Sequence, residues 1–184
     1  FTSLKLGGSG HLNPAVTIAL AVTGKFSSSL VGTYLLAQMA GAFTGAVIVW
    51  LTYHSHFEIT EDADLKKAIF CTAPGIRKPL NNVFTEFIGT FILMFGALSF
   101  TDPTSSMGTL NALPVSLLVL GIGLSLGGPT GYAINPARDL GPRIAHFILP
   151  IKGKRDSDWG YSWVPIVGPI LGAILAAVVF KQLN

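Results

Sequence analysis

The chain has 184 residues, of which 50% are hydrophobic and only 11% are charged, and its mean hydropathy of +0.59 is typical of a membrane protein. Its net charge of +3 comes from 12 basic and 9 acidic residues that form no basic stripe with interleaved aromatics, which argues against a nucleic-acid partner. A single cysteine excludes an internal disulfide and a cysteine-built metal site, and we expect neither a metal nor a cofactor.

The first predicted element is a short helix that opens with an Asn-Pro-Ala triplet. Residues 11–20 read HLNPAVTIAL, and the apolar run ends at Val22, so it is too short to cross a bilayer. Asn is a preferred helix N-cap, and Pro suits the first helical position because the N–H it lacks has no partner within the helix there. A capping Asn still has its side-chain NH2 group available as a donor.

Four later stretches are each close to the roughly 20 apolar residues that a bilayer requires. They are residues 28–53, 80–100, 110–128 and 161–181. The charged link 54–79 separates the first two, and we expect it to be a connecting loop.

A second Asn-Pro-Ala triplet occurs in INPARDLGPR, residues 134–143, and opens another short segment, residues 136–149. For one copy, an ordinary Asn-Pro turn is an adequate explanation. Two copies that open short segments at matching places in two halves indicate a site at the membrane midplane of a repeat-built protein. Two such helices meeting end to end would present two amide donors and two positive dipole ends to a water or alcohol oxygen.

An internal repeat is visible independently of these triplets. AQMAGAFTGA (37–46) aligns without a gap on GPILGAILAA (168–177), and small residues coincide at 37/168, 41/172, 42/173 and 45/176. A GxxxG pattern alone is a weak signal in a glycine-rich chain, but a spacing of four puts these positions on one helix face, where small side chains permit close packing in lipid.

The repeat divides the chain into a partial first repeat (9–53), the link and a second repeat (80–184). The second repeat has two spans before its short helix, whereas the first has none. By this symmetry we expect the first repeat to lack two spanning helices.

HLNPAVT and GYAINPARD resemble the paired signatures of the aquaporin superfamily, and the second resembles its glycerol-facilitator branch. The resemblance runs from residue 9 to the C-terminus; residues 1–8 resemble no helix of the family, and the chain reads SGHLNPA where the family usually has SGAHxNPA. It implies an all-α membrane protein with one channel domain, an inverted repeat of spanning helices whose two half-helices meet at the midplane. It also implies a homotetramer in a lipid bilayer, the plasma membrane.

The resemblance further implies the pore residues. Asn13 and Asn135 match the two motif asparagines, and Arg138 matches the arginine of the selectivity filter. Tyr132 matches the filter aromatic. Gly123 aligns with a position that is commonly His in water-selective members and Gly in glycerol-conducting ones. With Gly there, we expect open space beside Tyr132 in which a carbon chain slides along the ring while Arg138 binds hydroxyl groups.

Backbone carbonyls are expected to line the path as acceptors, since irregular backbone at membrane depth is tolerated where it lines a cavity. They belong to Gly10, His11, Gly131, Tyr132 and Ala133. The His11 side chain resembles the family's pore-side histidine, and a packed core histidine is an equal alternative.

Three residues are expected to support the pore wall from behind. Glu86 is ionisable within a span, and the resemblance implies that it braces loop backbone. Gln38 is expected to act in the same way from its own helix. Asp139 either has a pore role or caps its helix and pairs with Arg143 four residues on.

These features favour a passive, bidirectional channel for glycerol, small neutral polyols and water that excludes ions and protons. A water-selective aquaporin is the alternative. A membrane enzyme is disfavoured because neither GxSxG nor HExxH occurs. A coupled transporter would need a titrating carboxylate near the midplane, and Glu86 is the sole candidate that lies clearly inside a predicted span.

Overall fold

The computed structural model describes residues 10–100 and 110–183, so the unassigned segment 1–8 lies outside it. Every regular element among the described residues is helical. In chain order the helices are α1 (Pro14–Val22), α2 (Val31–Thr52), α3 (His54–Ile59), α4 (Ala63–Ala68), α5 (Pro79–Ser99), α6 (Leu113–Thr130), α7 (Pro136–Ile148) and α8 (Val164–Leu183). Short 3-10 turns, Ser28–Leu30 and Trp159–Tyr161, precede α2 and α8.

Four of these helices, α2, α5, α6 and α8, are long and apolar enough to cross a membrane. They correspond to the four predicted spans, and their ends differ from the predicted ends by a few residues. Three of them, α2, α6 and α8, each begin three residues after the predicted start; α6, for example, begins at Leu113 rather than at residue 110. Hydropathy locates a span but not the turn that starts it, and here Pro114 occupies the first turn of the helix.

The two half-length helices, α1 and α7, begin where the Asn-Pro-Ala triplets predict. The side chain of Asn13 accepts a hydrogen bond from Ala15 N at 2.9 Å. Asn135 accepts from Ala137 N at 3.0 Å and from Arg138 N at 3.2 Å. Each asparagine therefore caps its helix with its Oδ1 atom, and the side-chain amide nitrogen is left to donate elsewhere.

Each half-helix packs on a spanning helix of the other repeat, α1 on α8 and α7 on α2. Ala15 and Ala19 of α1 share a buried cluster with Ala173 of α8. On the other side, a Cβ placed on Gly141 of α7 would lie 2.7 Å from the Cβ atom of Ala42 in α2. Ala42 and Ala173 are an aligned pair of the repeat, so the two half-helices pack on equivalent positions of the spanning helices that seat them.

The GxxxG glycines of the two repeats differ in their surroundings. A Cβ on Gly168 would lie 2.7 Å from the Cβ atom of Glu86, and one on Gly172 would lie within 3.0 Å of the Phe87 backbone, so α8 and α5 touch through these glycines. At Gly41 and Gly45 of α2, no described atom lies within 4 Å of such a Cβ. The close contact expected of this motif is thus present in the second repeat.

The link between α2 and α5 is more structured than the expected connecting loop, because it contains α3 and α4 and is folded onto the segment after α7. Lys66 is 3% exposed and its Nζ atom donates to the carbonyl oxygen of Lys152 at 2.6 Å. Lys67 is 4% exposed, and its Nζ atom lies 3.9 Å from a carboxylate oxygen of Asp158. The link thus connects the two spans and is also fixed to a distant segment by these two buried lysines.

The single cysteine, Cys71, lies in this link and is buried. Burial raises the pKa of its thiol to about 11, so the reactive thiolate is scarce at neutral pH. We expect N-ethylmaleimide to leave the folded protein unlabelled at neutral pH and to label it fully once SDS has unfolded the chain. Intact-mass spectrometry measures both states, and rapid labelling of the folded protein would show that the link is not folded as described.

Candidate functional site

The two asparagine caps are joined across the interface between the half-helices. The Asn13 Nδ2 atom donates to the carbonyl oxygen of Ile134 at 2.7 Å, and the Asn135 Nδ2 atom donates to that of Leu12 at 3.1 Å. Leu12 and Ile134 each directly precede a capping asparagine, so the two bonds are related by the symmetry of the repeat. The two helix N-termini, with their positive dipole ends, are thereby held against each other.

The loop from Gly131 to Asn135 has an irregular backbone. Gly131, Tyr132 and Ile134 have φ angles of 73°, 40° and 43°, in the left-handed region that costs a non-glycine residue about 1–2 kcal/mol. Glu86 offsets this cost, since its two carboxylate oxygens accept from Ala133 N at 2.9 Å and from Ile134 N at 2.7 Å. These charge-assisted bonds are the backbone contacts that the resemblance led us to expect of Glu86.

The same loop leaves acceptors free. Among the described residues, none donates a hydrogen bond to the carbonyl oxygens of Gly131, Tyr132 or Ala133. The Gly131 N–H is bonded to the end of α6 and the Ala133 N–H to Glu86, and the three consecutive carbonyls keep both lone pairs for other donors.

The first loop is held in a comparable way by Gln38 of α2. Its Nε2 atom donates to the carbonyl oxygen of His11 at 3.1 Å and to the Oγ1 atom of Thr17 at 2.9 Å. The His11 Nδ1 atom also lies 2.8 Å from Thr17 Oγ1, and the ring stacks on Tyr34 with centroids 4.8 Å apart. His11 is therefore packed, and its carbonyl keeps one lone pair for another donor.

Tyr132 does not stand beside open space, as we expected from the glycine at 123. Its ring lies along the face of α6, so that a Cβ on Gly123 would be 2.9 Å from its Cζ atom and one on Gly127 would be 3.1 Å from its Cδ1 atom. The space that a side chain at 123 would need is thus taken by the ring itself. The expectation was wrong because the sequence shows the missing side chain but not the neighbour that fills its volume.

Arg138 lies in the first turn of α7 and is exposed. Its guanidinium forms no hydrogen bond or ion pair within the described part of the chain. It lines a cavity of about 550 Å³ together with His11, Asn135 and the face of α2 that carries Gln38. Tyr132, Gly123 and Asn13 are not part of this lining. The cavity therefore brings together four of the expected site residues.

Asp139, directly after Arg138, is fully buried, so its position fits the helix-pairing alternative and not contact with a solute. Its Oδ2 atom accepts from Arg143 Nε at 2.8 Å, and its Oδ1 atom accepts from the backbone N and the Oγ1 atom of Thr72, both at 2.7 Å. Arg143 also donates to the carbonyl oxygens of Ser157 and Asp158. This buried pair fixes α7 to the link and to the segment that precedes α8.

The far end of α7 is capped by Lys154, which we did not single out in the sequence. Its Nζ atom donates to the carbonyl oxygens of His146, Phe147 and Leu149 at 2.6, 2.9 and 2.6 Å. A cation at a helix C-terminus interacts favourably with the unpaired carbonyls and the dipole. The sequence analysis also did not single out Leu12 and Ile134, whose carbonyl oxygens accept from the two asparagine amides. The repeat symmetry could have pointed to both, because each directly precedes a capping asparagine.

With this geometry established, comparison with known proteins identifies the family. Residues 2–180 match the family described as "Major intrinsic protein". The chain belongs to this family. It is therefore an integral membrane protein, and its all-α architecture of spanning helices with two half-helices is the predicted one.

Among relatives in the major intrinsic protein family, the chain is 58% identical over 173 residues to a "Probable glycerol uptake facilitator protein" of Thermotoga maritima, covering 94% of the chain and 74% of the relative. It is 50% identical over 183 residues to a "Glycerol uptake facilitator protein" of Streptococcus pneumoniae, covering 98% and 76%. The X-ray structure of the aquaglyceroporin from Plasmodium falciparum superposes with a TM-score of 0.82 at 32% identity, covering 95% of this chain and 73% of that one.

Proposed function

We propose that this protein is a passive channel that conducts glycerol, related small neutral polyols and water through the junction of its two half-helices. The observation that carries the proposal is the combination of free carbonyls at Gly131, Tyr132 and Ala133 with two asparagine amides at the junction. Each Asn side-chain amide donates one N–H to a carbonyl of the opposite loop, and its second N–H is available to a permeant oxygen. The carbonyls would accept hydrogen bonds and the amides would donate them, and the hydroxyl groups of glycerol can do both.

The exclusion of ions follows from the charges at the same place. The positive ends of α1 and α7 converge at Asn13 and Asn135, which opposes a cation. The Arg138 guanidinium adds a full positive charge and offers several N–H donors in a planar fork that can bind adjacent hydroxyls. Glu86, the carboxylate inside a described span, has both oxygens engaged with loop N–H groups, which supports passive conduction.

Tyr132 is proposed to complete the filter as an apolar surface. One side of the ring is covered by α6 and the residue remains 37% exposed, so a ring surface is left for the CH groups of a polyol. A solute with carbon on one side and hydroxyls on the other matches an aromatic ring and a guanidinium. The relatives that are named glycerol uptake facilitators favour this solute over water alone.

The assembly and location are also proposals. Leu117, Leu120 and Leu124 on α6 are 57%, 56% and 81% exposed, so this helix presents a broad apolar face to lipid or to other subunits. We propose a homotetramer in the plasma membrane, with each subunit containing its own pore.

The proposal is tested by the swelling of proteoliposomes in glycerol and in sorbitol. Wild-type protein is expected to admit glycerol and water but to exclude the longer sorbitol and to show no ion current. Arg138→Val is expected to lower the glycerol rate and to raise ion leak together, because one guanidinium supplies both hydroxyl binding and positive charge. Wild-type protein that admits water alone would favour a water-selective aquaporin, and glycerol entry that requires a proton gradient would indicate a coupled transporter.

The matched control is Lys154→Met, which removes a cation at the opposite end of the same helix. Since the Lys154 ammonium binds, among the described residues, only carbonyls in the last turn of α7 and at Leu149 directly after it, its loss is expected to lower thermal stability without opening the pore to ions. If Arg138→Val keeps both the polyol rate and the ion leak of the wild type, Arg138 does not lie at the constriction.

A further inference from the structure

Gly127 is a second glycine beneath the Tyr132 ring, and it has no part in the filter described so far. It lies four residues after Gly123 on α6, one helical turn along the same face. The only described atoms within 4 Å of a Cβ placed on Gly127 are the Cδ1 and Cε1 atoms of Tyr132, at 3.1 and 3.6 Å, apart from its chain neighbours and nearby helix backbone. The ring therefore rests on two glycines, its tip on Gly123 and its base on Gly127.

We propose that Gly127 is a positioning residue that sets the width of the filter by setting how deeply the Tyr132 ring sinks into α6. This inference rests on the proposed function, and it adds a residue whose own atoms touch no permeant. A methyl group at 127 would come closer to Cδ1 than an ordinary van der Waals contact allows, so the ring must shift by a few tenths of an ångström.

The direction of that shift is decided by the backbone on either side. The Tyr132 backbone is held on both sides, because Gly131 N is bonded to the Gly127 carbonyl at 2.8 Å and the N–H groups of Ala133 and Ile134 are bonded to Glu86. The base of the ring can then move only by rotation about its side-chain bonds, away from α6 and toward its exposed face. On the proposed function, that face is the one along which the solute passes.

The helix itself should tolerate the change. Gly127 has ordinary helical backbone, unlike Gly131, and its carbonyl bond to Gly131 does not involve a side chain. Alanine is also a better helix former than glycine, so Gly127→Ala is expected to keep or raise the thermal midpoint. A loss of polyol conduction without a loss of stability would separate a filter effect from damage to the fold.

The experiment compares stopped-flow glycerol and water fluxes of proteoliposomes containing wild type, Gly127→Ala and the control Gly121→Ala. Gly121 lies on the same helix, and a Cβ there meets no described atom within 4 Å. We expect Gly127→Ala to lower the glycerol-to-water flux ratio about fivefold, the effect of a modest steric misfit at the barrier. Gly121→Ala is expected to leave the ratio unchanged.

A second background shows whether Gly127 acts through the ring. Tyr132→Val removes the ring, including the Cδ1 and Cε1 atoms that a methyl group at 127 would contact. Adding Gly127→Ala to this variant should therefore not change the glycerol-to-water flux ratio further. An unchanged ratio in the single variant, or an equal drop in the Tyr132→Val background, would overturn the inference. If wild-type protein conducts no glycerol at all, it is the proposed function that fails. The wild-type glycerol flux therefore distinguishes failure of the proposed function from failure of the inference about Gly127.

Discussion

Gly123→His is expected to lower glycerol flux about five- to hundredfold, because a buried polar group left unpaired as a CH2 group passes costs about 1–3 kcal/mol. The steric part of the effect acts through Tyr132. A Cβ at 123 would lie 2.9 Å from the ring's Cζ atom and 3.3 Å from its Oη atom, so any side chain there must displace the ring tip. A water molecule can bond to the new imidazole, whereas a polyol carbon cannot, so water flux should fall much less.

Paired stopped-flow measurements of water and glycerol on the same proteoliposomes give this result directly. Gly128→His is the matched control, since Gly128 lies on the same helix and a Cβ there meets no described atom within 4 Å. Gly123→Ala separates the two causes, because it displaces the ring tip without adding a polar group. Equal scaling of both fluxes in Gly123→His would show that Gly123 lies away from the filter.

Asp139→Ala is expected to reduce the free energy of unfolding by about 3–5 kcal/mol, because removing one partner of a buried ion pair leaves the other charge uncompensated. Arg143 is fully buried and would lose both of its bonds to Asp139, and Thr72 would lose the acceptor of its backbone and side-chain donors. The thermal midpoint in detergent measures the loss.

Asp64→Ala is the comparison for this effect. Asp64 pairs with Arg155 at 2.5 Å, but the side chains are 68% and 40% exposed, and an exposed pair contributes only about 0–1 kcal/mol. The thermal midpoint should therefore fall far more in Asp139→Ala than in Asp64→Ala. Similar midpoints in the two variants would mean that water reaches the Asp139 pair.

The half-helices were predictable from the sequence because their signals are local. An Asn cap, a Pro at the first position and a short apolar run predict α1 at both ends, and they predict α7 to within one residue. The backbone contacts of Glu86 were expected from the family resemblance. The residue alone indicated only that an ionisable group inside a span has a specific partner.

What the sequence did not predict depends on contacts between distant segments. The Lys66 ammonium donates to a carbonyl 86 residues away in the sequence, and no periodicity in the link predicts that contact. The packing of the Tyr132 ring on α6 was not predicted for a related reason. An absent side chain at Gly123 was read as free volume, but close packing in protein interiors fills such volume with whatever ring or chain is within reach.

The exchange of half-helices between the repeats has a consequence for the order of synthesis. Asn13 bonds to a carbonyl 121 residues further along the chain, and the helix that seats α1 is α8, which begins only at Val164. At ribosomal rates of about 5–20 residues per second, α1 would wait on the order of 10–30 s for that seat. Until Ile134 has been made, the capping amide of Asn13 also lacks the carbonyl to which it bonds in the folded protein. A substitution in α8 that disturbs the packing around Ala173 would therefore also affect α1, which lies far earlier in the sequence.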